Sequence, residues 1–197
     1  MNTVTRWTLA AVFGLCLAAP AWAGAPTDHA RQYTDQVHKV LEDPTLKPAE
    51  RRAAVRKVAG EVFDVSETAR RALGRHWQSR SPAEREEFIE LFADVLESTY
   101  ISKIDSYGGE RLSYFSESVE GDFAIVRARV LGRRADVLVE ARMHRRGDRW
   151  YIYDIAVEGV SLINNYRSQF DRIIQTSSYE ELIRRLQSKR NEMLNSR

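Results

Sequence analysis

The side chains best suited to chemistry are four histidines and one aspartate. His29, His38, His76 and His144 show neither an HExxH pattern nor a comparable metal-binding spacing. We therefore interpret all four as surface or boundary residues. The sequence also contains no Gly-x-Ser-x-Gly nucleophile motif and no glycine-rich phosphate loop. Metal-dependent and nucleophilic enzyme classes consequently have no motif to support them.

The aspartate is Asp154, which lies between Tyr153 and Ile155 in a predicted strand. Strand alternation places Trp150 and Ile152 on the same face as its side chain. A carboxylate in an apolar cavity has a raised pKa and can act as a general base. The favoured alternative is that Asp154 pairs with an arginine or caps a neighbouring element. No second carboxylate or oxyanion donor accompanies it, so the enzyme hypothesis depends on this residue alone.

A basic cluster surrounds the predicted helix end at Leu73-Gly74, next to Trp77. Its members are Arg70, Arg71, Arg75, His76 and Arg80. Two interpretations stay open. The cluster is either a solvated helix face or a contact surface for anionic headgroups or for an acidic partner.

Six helices are predicted from apolar spacing and from capping residues. Pro48 suits the first turn of the second helix, and Gly74 suits the end of the third. Ser81-Pro82-Ala83-Glu84 is a capping box that opens the fourth. The predicted ranges are 27–42, 48–62, 66–73, 82–107, 161–176 and 178–194.

Between the fourth and fifth helices the apolar period changes to two. The predicted strands are Arg111–Ser118, Phe123–Leu131, Asp136–Arg145 and Trp150–Val157. Short glycine-containing turns between them indicate antiparallel hairpins. The pattern predicts an α+β domain with a four-stranded twisted antiparallel sheet that helices cover on one face.

The middle strands have one apolar face made of small residues. Ala124, Val126, Ala128 and Val130 alternate with Arg127 and Arg129, and Val137, Val139, Ala141 and Met143 alternate with Glu140, Arg142 and His144. We expect Arg–Glu pairs across the strands on the charged face. We expect the aromatic fourth helix to lie opposite the small-residue face. That arrangement either packs tightly or leaves a cavity for an apolar ligand.

The start of the chain predicts a secretory signal peptide over residues 1–23. Arg6 precedes a short apolar run, and Ala21-Trp22-Ala23 is a suitable cleavage site. Cys16 lacks the small preceding residue of a lipoprotein signal and would leave with the peptide. Residues 24–197 would form one domain without a disulfide or a thiol nucleophile. With 30 basic and 28 acidic residues in the full chain, charge does not indicate nucleic-acid binding.

Five motifs occur along the chain: Phe63-Asp64, Ala72-Leu73-Gly74-Arg75-x-Trp77, Ser81-Pro82-Ala83-Glu84-x-x-x-Phe88, Trp150-Tyr151-Ile152-Tyr153-Asp154, and Glu158-Gly159-Val160-Ser161-Leu162-x-x-Asn165-Tyr166-Arg167-Ser168-Gln169-Phe170. Together they resemble the motifs of the MlaC family of periplasmic phospholipid-binding proteins, also described as toluene-tolerance auxiliary proteins. The resemblance covers nearly all of the chain after residue 23.

The resemblance implies a periplasmic carrier with a fold similar to NTF2-like and cystatin-like proteins. Such a carrier moves glycerophospholipid between an outer-membrane lipoprotein–porin complex and an inner-membrane ABC transporter that bears an MCE-domain ring. This transport in the Mla pathway maintains the lipid asymmetry of the outer membrane. On this basis we expect a monomer with no cofactor, no metal, no catalytic residue and no nucleic-acid partner.

The acyl chains would lie between the sheet and the helices. From periodicity, the lining residues are Leu73, Phe88, Phe92, Leu96, Tyr100, Ile104 and Tyr107 from helices, and Val126, Val137, Val139, Ile152 and Val160 from the sheet side. Arg75 and Gln78 are the expected headgroup contacts. Two alternatives stay open: an NTF2-like cavity enzyme, of isomerase or dehydratase type, that uses Asp154, and an interaction module with a filled core.

Overall fold

The structure is a computed structural model that describes residues 25–101, 108–131 and 135–195. The predicted signal peptide, including Cys16, lies outside the described residues. So do Ile104 and Tyr107, which were predicted to line the pocket. The described chain is an α+β fold of six α-helices and one antiparallel sheet.

The helices begin and end close to the residues that the sequence predicts, except that the predicted end of the fourth helix at residue 107 lies outside the described residues. They are α1 (Pro26–Glu42), α2 (Pro48–Val62), α3 (Val65–Leu73), α4 (Pro82–Ile101), α5 (Leu162–Thr176) and α6 (Tyr179–Asn195), with a short 3₁₀ turn at Gly74–His76. The capping box is confirmed, because Ser81 N donates to Glu84 Oε2 at 2.7 Å and Glu84 N donates to Ser81 Oγ at 3.3 Å. These hydrogen bonds satisfy amide groups that have no partner within the helix.

The sheet has five strands, where the sequence predicts four. They are β1 (Arg111–Glu120), β2 (Phe123–Leu131), β3 (Val137–Arg146), β4 (Arg149–Val157) and β5 (Val160–Ser161). Each pairs antiparallel with its neighbour, in the order β1-β2-β3-β4-β5. The additional strand, β5, is too short to show a period-two pattern, which is why sequence periodicity misses it.

Most of the buried apolar side chains of the described residues form two clusters. The sheet cluster lies between α1, α2 and one sheet face, and contains Ala30, Tyr33, Val58, Val62, Ala124, Val126, Met143, Trp150 and Ile152. The helical cluster joins α3, α4, α5 and α6, and contains Ala69, Ala72, Leu73, Phe88, Leu91, Phe92, Val95, Ile163, Phe170, Tyr179, Leu182, Ile183 and Leu186.

This division corrects the predicted position of α4. Its aromatic side chains do not face the small residues of the sheet. Phe92 instead contacts Phe170 and Tyr166 of α5, with ring centroids 5.3 and 5.0 Å apart. The part of the small-residue face around Ala124, Val126 and Met143 is covered by α1 and α2. Helical periodicity shows which residues share a face, but it does not show which element that face meets.

Helices also contact both sides of the sheet, where the sequence predicts only one covered face. An irregularity in β4 determines which residues face each side: Met143 pairs with Ile152, whereas the adjacent Arg142 pairs with Asp154. Directly paired residues share a face, so Asp154 lies on the face opposite to Ile152. The predicted common face for these two residues is therefore wrong, and Asp154 contacts the start of α5.

Candidate functional site

Five valines form a contiguous group at one end of the apolar sheet face. Register pairs Val130 with Val137, Val139 with Val157, and Val157 with Val160. Since direct partners and residues two apart on a strand share a face, the five side chains project from the same side of the sheet. We call Val130, Val137, Val139, Val157 and Val160 the valine patch.

The valine patch is a part of the apolar face that α1 and α2 leave accessible. On the same face, Val126 is 1% exposed and Met143 is fully buried beneath these helices. Val130, Val137 and Val139 are half-buried. At the far side of the patch, Val157 is 45% exposed and Val160 is 66% exposed. Grouped apolar side chains left in water mark a binding surface more often than a solitary one does.

The opposite face of these strands is charged, as the alternation predicts. Arg127 and Glu140 are direct cross-strand partners, and Arg127 Nε lies 2.7 Å from Glu140 Oε1. The expected Arg–Glu pairing is thus confirmed. Because the two faces differ so strongly, an apolar ligand has one favourable side of β2 and β3 to contact.

Asp154 has a structural role in the described geometry. Its carboxylate accepts hydrogen bonds from Ser161 Oγ at 2.5 Å and from the backbone N–H of Ile163 at 3.1 Å, and Arg142 Nη1 lies 3.2 Å away. Ser161 in turn accepts from Asn164 N at 3.0 Å. The alternative that Asp154 pairs with an arginine and caps a helix is confirmed.

The basic cluster is balanced by acidic side chains. Arg70 and Arg71 both bind Glu67, at 2.6 and 2.7 Å. Arg75 and His76 both bind Asp171, each at 2.7 Å. In addition, Arg80 lies 3.0 Å from Glu84. These pairs compensate the positive charge locally, so the cluster resembles a solvated ion-pair network more than an open anion site.

Of the four histidines predicted to be surface or boundary residues, His38 is buried, whereas His144 is partly buried, as a boundary residue would be. His38 is 7% exposed and its Nδ1 lies 2.8 Å from Arg111 Nη1. His144 Nε2 lies 2.9 Å from Asp64 Oδ2 at the start of α3. Within the described ranges, no group of three or more His, Cys, Asp or Glu side chains is arranged to hold a metal ion.

The structure separates the residues predicted to line the pocket. Val137, Val139 and Val160 come together in the valine patch, while Val126 and Ile152 lie on the same face beneath α1 and α2. The helical residues Leu73, Phe88 and Phe92 fill the helical cluster, and Leu96 packs against it. Val130 and Val157 belong to the valine patch but were not among the residues predicted to line the pocket. Strand alternation identifies Val130, which continues the apolar face of β2. It does not identify Val157, because regular alternation places Val157 on the face opposite to Ile152, and only the irregularity in β4 brings the two to one face.

Tyr100, another predicted lining residue, is 45% exposed near the end of α4. It hydrogen-bonds Tyr166 of α5. The pKa of Tyr166 is raised mainly by burial and secondly by the neighbouring Tyr100. The two predicted headgroup contacts are exposed, Arg75 in the 3₁₀ turn and Gln78 just beyond it. The Gln78 carbonyl accepts a hydrogen bond from Arg85 Nη2 at 3.3 Å.

Comparison with known proteins decides the family. The family model described as "MlaC protein" matches residues 31–188, which is most of the chain. The chain belongs to the MlaC family. The resemblance carried by the sequence motifs is thereby confirmed, and the valine patch is an exposed apolar surface on an MlaC-family sheet.

This MlaC-family chain is similar to two named proteins, one by sequence and one by structure. The intermembrane phospholipid transport system binding protein MlaC of Haemophilus influenzae is 23% identical over 155 residues, which cover 76% of this chain and 71% of that protein. A phospholipid-binding protein from Ralstonia solanacearum, solved in complex with a phospholipid, matches with a TM-score of 0.77 and 20% identity. That match covers 87% of this chain and 99% of the other, and it shows a shared fold.

None of the helices of this MlaC-family chain within residues 25–101, 108–131 and 135–195 combines the length and the apolar character needed to cross a bilayer.

Proposed function

We propose that this protein is a periplasmic carrier that binds glycerophospholipid and shuttles it between an outer-membrane complex and an inner-membrane complex. Its function would be to maintain the lipid asymmetry of the outer membrane. The observation that carries the proposal is the valine patch, an accessible apolar surface on the sheet of an MlaC-family protein. Acyl chains laid on this patch would remove Val157 and Val160 from water.

The energetics explain why lipid needs a carrier. Burial of each methylene is worth about 0.8 kcal/mol, so two chains of roughly 15 methylenes resist transfer into water by on the order of 20 kcal/mol. A lipid therefore does not cross an aqueous compartment unshielded. A protein that shields the chains needs apolar side chains and no catalytic group. Asp154, whose carboxylate caps α5, is not required for such a role.

The named relatives support the ligand class. One is described as part of an intermembrane phospholipid transport system, and the other was solved with a phospholipid bound. The predicted signal peptide over residues 1–23 supports a periplasmic location. The partners that the family resemblance implies are an outer-membrane lipoprotein–porin complex and an inner-membrane MCE-domain ABC transporter, which a monomeric carrier would meet in turn.

For the ligand's position, we propose that the acyl chains contact Val137, Val139 and Val160 first, with Val126 and Ile152 deeper on the same face. The headgroup would stay in water, and Arg75 and Gln78 remain its predicted contacts. Both are exposed, as a headgroup contact must be. Because Arg75 is already paired with Asp171, any contact it makes with a phosphate would have to compete with that ion pair.

The decisive experiment is chemical analysis of the purified protein. The full-length chain would be expressed with export to the periplasm, purified without detergent, extracted with organic solvent and examined by mass spectrometry. We expect glycerophospholipid in an amount comparable to that of the protein. Protein that is folded, exported and free of phospholipid, and that takes up none from phospholipid vesicles, would overturn the proposal.

A further inference from the structure

The turn between β4 and β5 contains a glutamate in an unfavourable backbone conformation. Glu158 has a φ of 49° and Gly159 a φ of 78°, and together they connect the paired residues Val157 and Val160. A two-residue hairpin with positive φ at both positions is a type I′ turn, which favours Asn, Asp or Gly. A glutamate at its first position is strained, because its Cβ crowds the backbone in the left-handed region.

Two hydrogen bonds connect the strained residue to the start of β3. The backbone N–H of Glu158 donates to the carbonyl of Leu138 at 2.9 Å. In return, the backbone N–H of Leu138 donates to Glu158 Oε1 at 2.5 Å. The second bond needs a side chain long enough to reach across to β3, and its acceptor is charged, which strengthens it. A residue that suited the turn better, such as asparagine, is shorter by one methylene.

These bonds lie at the centre of the valine patch. Leu138 stands between Val137 and Val139, while Glu158 follows Val157 and precedes Val160 by two residues. The strand that carries Val160 consists of two residues and pairs with β4 at only two positions. Such a short strand does not hold its register by itself, so Val160 is positioned by the turn before it and by Ser161 after it, whose hydroxyl donates to Asp154. By its bonds to Leu138, Glu158 fixes both edges of the patch relative to each other.

We infer that Glu158 is a positioning residue for acyl-chain binding: its carboxylate holds the β4–β5 turn against β3 so that Val157 and Val160 extend the valine patch. The inference rests on the proposed function, since it assumes that the patch receives an apolar ligand. Strained residues persist where the surrounding structure holds them and where their geometry serves a site. Here the exposed glutamate side chain is long enough to bond Leu138, although the turn itself favours Asn, Asp or Gly.

Three variants at position 158 separate the effect of side-chain length from the effect of the residue preference of the turn. Glu158→Gln keeps the length and a carbonyl acceptor for Leu138 N–H. Glu158→Asn suits the type I′ turn but does not reach Leu138, and Glu158→Gly relieves the strain with no acceptor at all. For each, bound phospholipid per protein is measured after periplasmic expression, and again after incubation of delipidated protein with phosphatidylethanolamine–phosphatidylglycerol vesicles. The urea midpoint is measured in parallel.

Loss of one hydrogen bond that orders the patch should lower phospholipid loading about fivefold in Glu158→Asn and Glu158→Gly. Their urea midpoints should stay equal to wild type or rise, because the strain is relieved. Glu158→Gln should load nearly as wild type does. This divergence between loading and stability is the signature of positioning, since a purely structural residue would change both together.

Other outcomes overturn the inference. Full loading of both short variants, parallel loss of loading and stability, or failure of Glu158→Gln to load would each exclude positioning by the Leu138 bond. A wild-type protein without phospholipid would instead refute the proposed function itself. Because the wild-type measurement comes first, the two failures are distinguishable.

Discussion

The aliphatic part of Arg167 lies directly over Gly74. A Cβ built on Gly74 would come within 2.9 Å of Arg167 Cδ and 3.3 Å of its Cγ. Gly74 also has a φ of 57° and a ψ of −127°, a backbone region that is almost restricted to glycine. This contact joins the end of α3 to α5 and explains why two separate sequence motifs, around Gly74 and around Arg167, meet in the fold.

Replacement of Gly74 by alanine should destabilise the protein, because of the close contact with Arg167 and because of the backbone conformation at Gly74. The side chain of Arg167 must move and the backbone becomes strained, so we expect the free energy of unfolding to fall by about 2 kcal/mol. Urea denaturation followed by circular dichroism measures this change. The matched control is Gly60→Ala in α2, where an added Cβ has no neighbour within 4 Å. The control should gain about 0.5–1 kcal/mol. Equal effects of the two substitutions would contradict the contact.

Replacement of Asp154 by alanine should reduce stability substantially. It leaves the Ile163 amide and the Ser161 hydroxyl without their acceptor and leaves Arg142 without its buried partner. We expect a loss of about 3 kcal/mol in the free energy of unfolding. Asp148→Ala, at an exposed turn position, should change stability by less than about 0.5 kcal/mol. A folded Asp154→Ala protein of wild-type stability would argue against the capping role.

A charge on the valine patch should exclude lipid without unfolding the protein. Val157→Lys introduces an ammonium group at a residue that is 45% exposed, so its stability cost should be below about 1 kcal/mol. Phospholipid loading should nevertheless fall severalfold, because a charge disfavours the contact of acyl chains with the patch. The control is Val119→Lys, which is 52% exposed on the same sheet face but lies at its other end. Equal loading of both variants would place the ligand elsewhere.

The ion pairs of Asp171 should make part of the stability depend on pH. The hydrogen bond from His76, followed by Gln175 and Arg75, lowers the pKa of the Asp171 carboxyl below its ordinary value of 3.8. A depressed folded-state pKa contributes stability above the unfolded-state pKa, and this contribution is lost as pH falls through the folded-state pKa. Asp171→Asn should therefore be less stable than wild type at pH 7, and the difference should shrink below about pH 4.

Denaturation curves at pH 7 and pH 3 test this prediction for Asp171. Glu86→Gln, on the exposed side of α4, is the comparison variant and should show little pH-dependent difference from wild type. A difference between Asp171→Asn and wild type that persists unchanged at pH 3 would show that the carboxylate charge is not the cause.

The exported protein should begin at Gly24. Removal of residues 1–23 leaves a chain without cysteine, so the periplasmic protein should not react with a maleimide under denaturing conditions. Intact-mass spectrometry of the periplasmic fraction measures the cleavage site directly. Retention of Cys16 in the exported form, or its modification by lipid, would refute the predicted cleavage.

The sequence by itself determined the features that depend on neighbouring residues. Proline and serine caps placed the helix starts, and Gly74 placed the end of α3, because capping bonds join residues three or four apart. Alternation over β2 and β3 assigned the apolar and charged faces, and the Arg127–Glu140 pair follows from it. The family motifs are also short runs of neighbouring residues, so the sequence alone carries the resemblance to the MlaC family.

Only the tertiary structure decided how those elements meet. Periodicity put Phe88 and Phe92 on one face of α4, but it could not show that α5, and not the sheet, covers that face. The irregular pairing in β4 moved Asp154 to the opposite face from Ile152, because one extra residue reverses the alternation. The valine patch likewise results from where α1 and α2 stop covering the sheet, which is a matter of packing between distant segments and not of local sequence.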